Sequence, residues 1–511
     1  MSKLPYLNRL TELDVQRDGQ THIMIEADNR DALTALQYSH DNSVDVIYID
    51  PPYNTGGSLT YRDKFQVTDW VSQIRPTMIL AHSLLKSSGV MMISIDDGQM
   101  RPHLDLILQD IFGIDNRLPE MIWKGKSGGN DGNHIRKQHE YVLCFAKNLS
   151  DFKSTELFRK ASDSEFPQVD EETGRRYWRQ SLRQGGNRSR REDSPTLHYP
   201  ITTPDGNEVY PRFPDGSDGV WRWSPPKLER ELAEGNVEFR RNNKGQLVVE
   251  QKMWQTDTKK VYNDSLLPES TRDTRTGTNT LIDIFGGKPF DYPKPVELLE
   301  YLINFAGGKD AVVLDFFAGS GTTGHAVASL NAKDGGNRQA ILVTNNENNI
   351  FYDTTYIRFE RALTGAYAKG NVTPLSGSIV CFKVEFVDVT NSSGEVKTDY
   401  DLMELMSNKF SGIASLKEGV YDVEEHTGYF VCRGVVDGLN KTVLVWCDIY
   451  DDDDLEDVLE SVNPDVAYLA CESLSIYGNS LAKFDCDANA MPLKFVKTTI
   501  NSQNYSSQGE I

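Results

Sequence analysis

The chain has 511 residues, and 75 Asp and Glu against 54 Lys and Arg leave a net charge of −21. That length makes room for roughly three or four domains, while the acidic balance excludes a nucleic-acid binder that uses its whole surface. No apolar run suggests a membrane span, the amino terminus lacks a signal-peptide pattern, and the six cysteines form no Cys-x-x-Cys pair. These features predict a cytoplasmic chain with reduced thiols, no membrane association and no metal.

Residues 1–150 read as alternating strands and helices. Ile23-Met24-Ile25 is a predicted strand with Asp28 just past its end. Val46-Ile47-Tyr48-Ile49 is short, apolar and β-prone, the pattern of a buried parallel strand. The turn Asp50-Pro51-Pro52-Tyr53-Asn54 follows it, at the strand end where open α/β sheets place ligand crevices. Two prolines stiffen this turn and leave carbonyls without a neighbouring N–H. A carboxylate, a fixed carbonyl and an aromatic face suit a planar amine such as the exocyclic NH₂ of adenine or cytosine. Asp69 to Lys86 is a predicted helix and Val90 to Ile95 a strand. Cys144, in an apolar run, is expected in the core, and His134 and His139 near it have the spacing of a loop and strand rather than a zinc cluster.

Residues 151–270 lose this rhythm and turn rich in Gly, Pro, Ser and Arg. The charge reverses locally: residues 171–260 sum to about +3, whereas 381–511 carry about −15. Arg175, Arg176, Arg179, Arg183, Arg188, Arg190 and Arg191 fall within 18 residues, beside Tyr177 and Trp178. Arginine binds phosphates and guanine edges bidentately and aromatic rings stack on bases, so this segment is the expected DNA contact.

Alternation returns from about 280, with Val296 to Phe305 as a helix before the strand Ala311 to Leu314. Asp315-Phe316-Phe317-Ala318-Gly319-Ser320-Gly321-Thr322-Thr323 is a glycine-rich turn feeding a helix that starts near Thr322. Such a turn lets a ligand approach the backbone, and the helix amino end offers N–H groups to a polar or anionic group. From about 376 the chain reads as a small acidic α/β domain, in which the run from Asp451 is the solvated start of a helix.

The Asp50 turn and the Asp315 loop, in this order and far apart, resemble the β class of amino-methylating DNA methyltransferases. In particular they resemble the modification subunit of type III restriction-modification systems. The stretches Glu26–Asn29, Gly89–Asp97, His139–Leu143, Trp221–Trp223, Phe290–Leu299 and Val343–Asn349 match as well. The resemblance implies a Rossmann-like S-adenosylmethionine-dependent sheet built from segments 1–150 and 271–375. It also implies a target-recognition insertion at 151–270 and a small α/β domain at 376–511.

On this resemblance Asp50, Pro51, Pro52 and Tyr53 are the catalytic turn, with Tyr53 stacking on a flipped base and Tyr61 and Phe65 near the pocket. Asp315, Phe317, Gly319, Gly321 and Thr322 surround the methionine end of the cofactor. Lys294 is expected at the cofactor carboxylate, Glu347 at the ribose and Asp28 at the adenine. Asp at the first turn position favours N6-adenine over N4-cytosine as the target. Double-stranded DNA, a second copy of the chain and a helicase-nuclease restriction subunit are the implied partners. A recognition-only subunit without catalysis is the alternative from another class, which the intact Asp50 turn and glycine loop oppose.

Overall fold

In this computed structural model the described residues are 3–54, 66–125, 138–155, 157–242, 245–256, 258–261, 263–388, 422–426, 429–436, 439–446, 452–469 and 487–490. Tyr61, Phe65 and His134 lie outside them. The chain divides into two compact units, Met1–Thr155 with Asp264–Ile511, and Glu156–Asn263.

The large unit is built on nine strands: β1 (Lys3–Arg9), β2 (Thr21–Glu26), β3 (Val44–Ile49), β4 (Leu85–Ile95), β5 (Met121–Trp123), β6 (Glu140–Ala146), β7 (Val312–Asp315), β8 (Gln339–Thr344) and β9 (Ser378–Asp388). Their order is β1-β9-β2-β8-β7-β3-β4-β6-β5. The six strands from β9 to β4 are parallel, and β1, β6 and β5 close the edges antiparallel. Strands from the two ends of the chain thus interleave, and β7 lies between β8 and β3.

Side chains on successive strand positions point to opposite faces, and the core divides accordingly. Ile23, Ile25, Ile47, Ile49 and Met91 pack with helices α1 (Asn29–His40), α2 (Val67–Leu84) and α3 (Met100–Phe112). Met24, Val46, Tyr48 and Met92 pack on the other face with α4 (Val296–Ala306), α5 (Thr322–Asp334) and α6 (Ile357–Thr364). Helices on both faces leave the strand carboxyl ends as the open edge of the parallel sheet, where its loops gather.

The segment from 376 begins with β9, an integral strand of this sheet rather than the start of a separate domain. Val380, Phe382 and Val384 are buried there against the α1 layer, which gives this stretch more apolar cover in the sheet than outside it. Further on, five strands form a sheet in chain order, Asp422–His426, Tyr429–Val436, Leu439–Trp446, Val466–Leu469 and Asp487–Ala490. The acidic run opens the helix Asp452–Val462, whose Leu455 and Leu459 are buried against Val431, Leu444 and Ala467.

The second unit is narrower than the expected 151–270. Residues flanking it are tied to the large unit: the Thr155 N–H bonds the Phe305 carbonyl, and Leu267 is buried among Met24 and Trp123. The unit carries a four-stranded antiparallel sheet ordered Val237–Arg241, Leu247–Trp254, Arg176–Ser181, Gln168–Val169. Its core gathers Leu182, Ile201, Trp221, Trp223, Leu228 and Val249, so the two tryptophans of the Trp-Arg-Trp stretch are structural.

Candidate active site

β3 and β7 are hydrogen-bonded neighbours, and their carboxyl ends bring Asp50 and Asp315 to one cleft of about 900 Å³. Asp50, Pro52, Lys294, Asp315, Phe317, Gly319, Thr322, Glu347 and Asp28 all line it. Pro51 is buried beside them, and the Pro52 carbonyl accepts from the Trp70 indole N–H at 3.0 Å, which pins the turn to α2. The Pro51 carbonyl has no partner among the described residues.

Four polar side chains converge on the turn. The Lys294 ammonium donates to Asp50 Oδ1 at 2.9 Å, Asp50 Oδ2 at 2.8 Å and the Tyr53 hydroxyl at 2.9 Å, and lies 3.2 Å from Glu140 Oε2. The Tyr53 hydroxyl donates to Asp50 Oδ1 at 2.6 Å. Burial alone would depress the Lys294 pKa, yet Asp50 and Glu140 beside it outweigh that and raise it, so the amine stays charged. Burial pushes the Asp50 carboxyl up; Lys294 pulls it back, and Glu140 pushes the same way as burial. The Tyr53 phenol is held well above its ordinary value by burial and the two carboxylates, so it remains a donor. The Asp50 side chain is 29% exposed and that of Lys294 9%, so the carboxylate opens to the cleft while its counter-charge stays behind it.

Lys294, expected at a cofactor carboxylate, is held here by Asp50, Tyr53 and Glu140, because two carboxylates beside it draw the ammonium to them. Tyr53, expected to stack on a flipped base, is tethered through its hydroxyl and packs its ring partly against the core.

On the other side of the cleft, Asp315 accepts from the Phe317 N–H at 3.0 Å and the Thr323 hydroxyl at 2.5 Å. Burial lifts its carboxyl to about 7 against these two bonds. Gly321 precedes α5 with φ +75°, and a Cβ there would press on the Thr355 carbonyl, so the sharp entry into the helix needs glycine. Asp28 accepts from the Arg30 N–H at 3.1 Å and caps α1. Glu347 is exposed at the end of β8, next to Asn345.

The sequence that carries both turns has counterparts among known proteins. A DNA methylase family model matches residues 44–362. The chain belongs to the DNA methylase family. It is 33% identical over 351 residues to the type II methyltransferase M.KpnI of Klebsiella pneumoniae, covering 64% of this chain and 82% of that enzyme. It is 32% identical over 361 residues to the StyLTI Mod subunit of a type III restriction-modification enzyme from Salmonella typhimurium. That match covers 63% of this chain and 52% of the Mod subunit, so the chain spans about half the length of this relative. Among solved structures, the cytosine-N4-specific PvuII DNA methyltransferase aligns at a TM-score of 0.35 with 13% identity, over 68% of this chain and 90% of that one.

This DNA methylase holds its seven expected DNA-contact arginines in the second unit, in unequal roles. Arg179 makes a bidentate pair with Glu238 at 2.9 and 2.8 Å, bracing two strands of the small sheet. Arg176 lies 3.5 Å from Asp163, Arg191 bonds Asp218 at 3.0 Å, and Arg190 donates to Ser217. Arg183 covers the Phe213 ring and Arg175 the Trp254 ring. Arg188 is exposed, with no side-chain partner among the described residues.

Three residues that the sequence reading passed over now matter. Glu140 backs Lys294. Thr355 donates to the Gly319 carbonyl at 2.6 Å. Arg358 lies fully buried under the glycine loop. Glu140 stands in a matched stretch and was within reach of motif reading, whereas Thr355 and Arg358 lie more than 30 residues past the loop and only the packing of α6 reveals them.

Proposed function

We propose that the chain transfers a methyl group from S-adenosylmethionine to the N6 amine of an adenine flipped out of duplex DNA. The observation that carries this is the Asp50–Lys294–Tyr53–Glu140 cluster facing the glycine loop across one cleft. The cleft suits such a cofactor: a helix amino end for its anionic group, apolar Phe317 for its body, and acidic Glu347 within reach of hydroxyls. When bound, S-adenosylmethionine supplies the electrophilic methyl on a sulfonium.

The amine is a poor nucleophile because its lone pair is delocalised into the ring. Asp50 corrects this by accepting an amine hydrogen, which favours a pyramidal nitrogen and stabilises the charge that grows there. A carboxylate oxygen has about two acceptor sites. Lys294 and Tyr53 occupy both on Oδ1, so Oδ2, which holds Lys294 alone, has room for the amine. The Pro51 carbonyl is the second acceptor. Once the methyl is on nitrogen, the surplus proton leaves that atom, and the adjacent Asp50 is its first acceptor. No covalent enzyme intermediate is needed, and Cys144, buried with its thiol pushed up to about 12, is unsuited to be a nucleophile. Lys294 orients Asp50 and pulls its pKa back against the rise that burial causes. Adenine rather than cytosine rests on Asp at the first turn position, and Asp28, Gly319, Gly321 and Thr322 complete the proposed cofactor site.

The insertion contacts DNA in this proposal, with Arg175, Arg188 and Trp178 among its exposed elements. A homodimer and a helicase-nuclease partner follow from the likeness to type III Mod subunits. The test is single-molecule sequencing of genomic DNA from cells expressing this chain or its Asp50→Ala variant. N6-methyladenine at one short motif, absent from the variant, is the expected result. N4-methylcytosine would overturn the base assignment, and no mark from a protein that also fails to bind S-adenosylmethionine would overturn the reaction.

A further inference from the structure

Arg358 is 0% exposed and stands directly under the glycine loop. Its Nη1 donates to Thr322 Oγ1 at 2.6 Å, Ser320 Oγ at 2.9 Å and the Ser320 carbonyl at 3.4 Å. Its Nε and Nη2 have no hydrogen-bond partner among the described residues. No carboxylate pairs with it among the described residues; the ionisable groups near it are His325, kept neutral by burial, and the Tyr367 hydroxyl. A buried cation without a counter-charge costs several kcal/mol. The expense is understandable where a ligand supplies the missing anion.

Ser320 and Thr322 both line the cleft, and both accept from Arg358; Thr322 Oγ1 also donates to the Lys294 carbonyl at 3.3 Å and lies 3.2 Å from Ser320 Oγ, long contacts that a ligand anion would replace. A hydroxyl that accepts from a cation is polarised and becomes a stronger donor on its other side. The π-helical turn Phe351–Tyr356 before α6 sets this register, with Thr355 holding the Gly319 carbonyl and Arg358 the next two side chains. Such turns recur where a helix must present side chains to a functional site.

We infer that Arg358 is the positioning residue that neutralises the carboxylate of the cofactor, acting through the Ser320 and Thr322 hydroxyls at the amino end of α5. The role left open by Lys294, which is committed to Asp50, falls to it. This inference rests on the reading of the cleft as an S-adenosylmethionine site.

Titration calorimetry on the full chain compares S-adenosylmethionine with its decarboxylated form, which keeps the sulfonium and adenosine and lacks only the anion. Arg358→Met is expected to weaken S-adenosylmethionine about 10- to 100-fold, as for loss of one charge-assisted contact. Decarboxylated S-adenosylmethionine is expected to change by less than about threefold on the same scale. Equal losses for both ligands would mean that Arg358 only props the loop, and no loss for either would remove it from the site; both overturn the inference. Should Arg358→Met not fold, the Ser320→Ala/Thr322→Val double variant takes the same comparison with the same expected selectivity. Failure of the wild-type chain to bind either ligand would instead overturn the cofactor reading itself, and the inference with it.

Discussion

Asp50 is a carboxylate set between two neighbours of opposite sign. Lys294 and Glu140 push its pKa in opposite directions, so their replacements separate cleanly in a pH profile. Lys294→Met removes the opposing charge, raises the Asp50 pKa further and moves the acid limb of kcat to higher pH by about 1–3 units. The same change lowers kcat about 10²- to 10³-fold at neutral pH, as loss of a preorganised donor does. Glu140→Gln moves that limb the other way. Methylation rates measured from pH 5 to 9 check both, and a shift of the same sign in the two variants would refute the pairing.

Asp315 allows a stability prediction. Its folded pKa of about 7 lies above the ordinary 3.8, so the folded state holds the proton more tightly than the unfolded chain. The stability it contributes is present below the ordinary value and is lost as pH rises through about 7. Asp315→Asn keeps an acceptor for the Phe317 N–H and cannot ionise. Its Tm is expected to gain on the wild type between pH 4 and 7 and to run parallel above, in thermal unfolding followed across pH.

At the scale of elements, the placement of Lys294 relies on a helix with no chemistry of its own. In the helix Thr274–Phe285, Gly277 lies so close to the Pro293-Lys294 backbone that a Cβ would meet the Pro293 carbonyl oxygen at 2.2 Å. Gly277→Ala must push that segment away, at a cost of about 1–3 kcal/mol in stability. Because Lys294 rides on it, methylation should fall more than stability does, which kcat measured well below Tm will test. The start of α5 was legible from the glycines before it, and the structure caps the helix at Gly321 and Gly335. β9 was misplaced because its alternation fits either a new domain or a sheet strand, and only its neighbours β1 and β2 decide.

For the whole molecule, a net charge of −21 makes DNA affinity depend on where the arginines sit. Arg188 has no internal partner among the described residues, so Arg188→Ala should weaken binding and reduce the slope of log K against log salt by about 1. Arg179 is bound to Glu238, and Arg179→Ala should destabilise the small sheet first. Fluorescence anisotropy on duplex DNA at several salt concentrations, beside thermal unfolding, distinguishes the two effects.

The reach of linear reading follows from the range of the interactions involved. Asp50-Pro-Pro-Tyr, the Asp315 loop and their strands are local patterns, since strand alternation, glycine turns and helix caps depend on residues a few positions apart. They sufficed for the fold class and for the two halves of the cleft. Lys294 is 244 residues from Asp50 and Arg358 is 36 from Thr322, and in each case the partner depends on burial. A buried charge takes the counter-charge or hydroxyl that packing brings to it, and no spacing along the chain encodes that choice. For the same reason the arginine cluster was visible as composition, while the tertiary structure alone distinguished Arg179, which braces a sheet, from Arg188, exposed with no side-chain partner among the described residues.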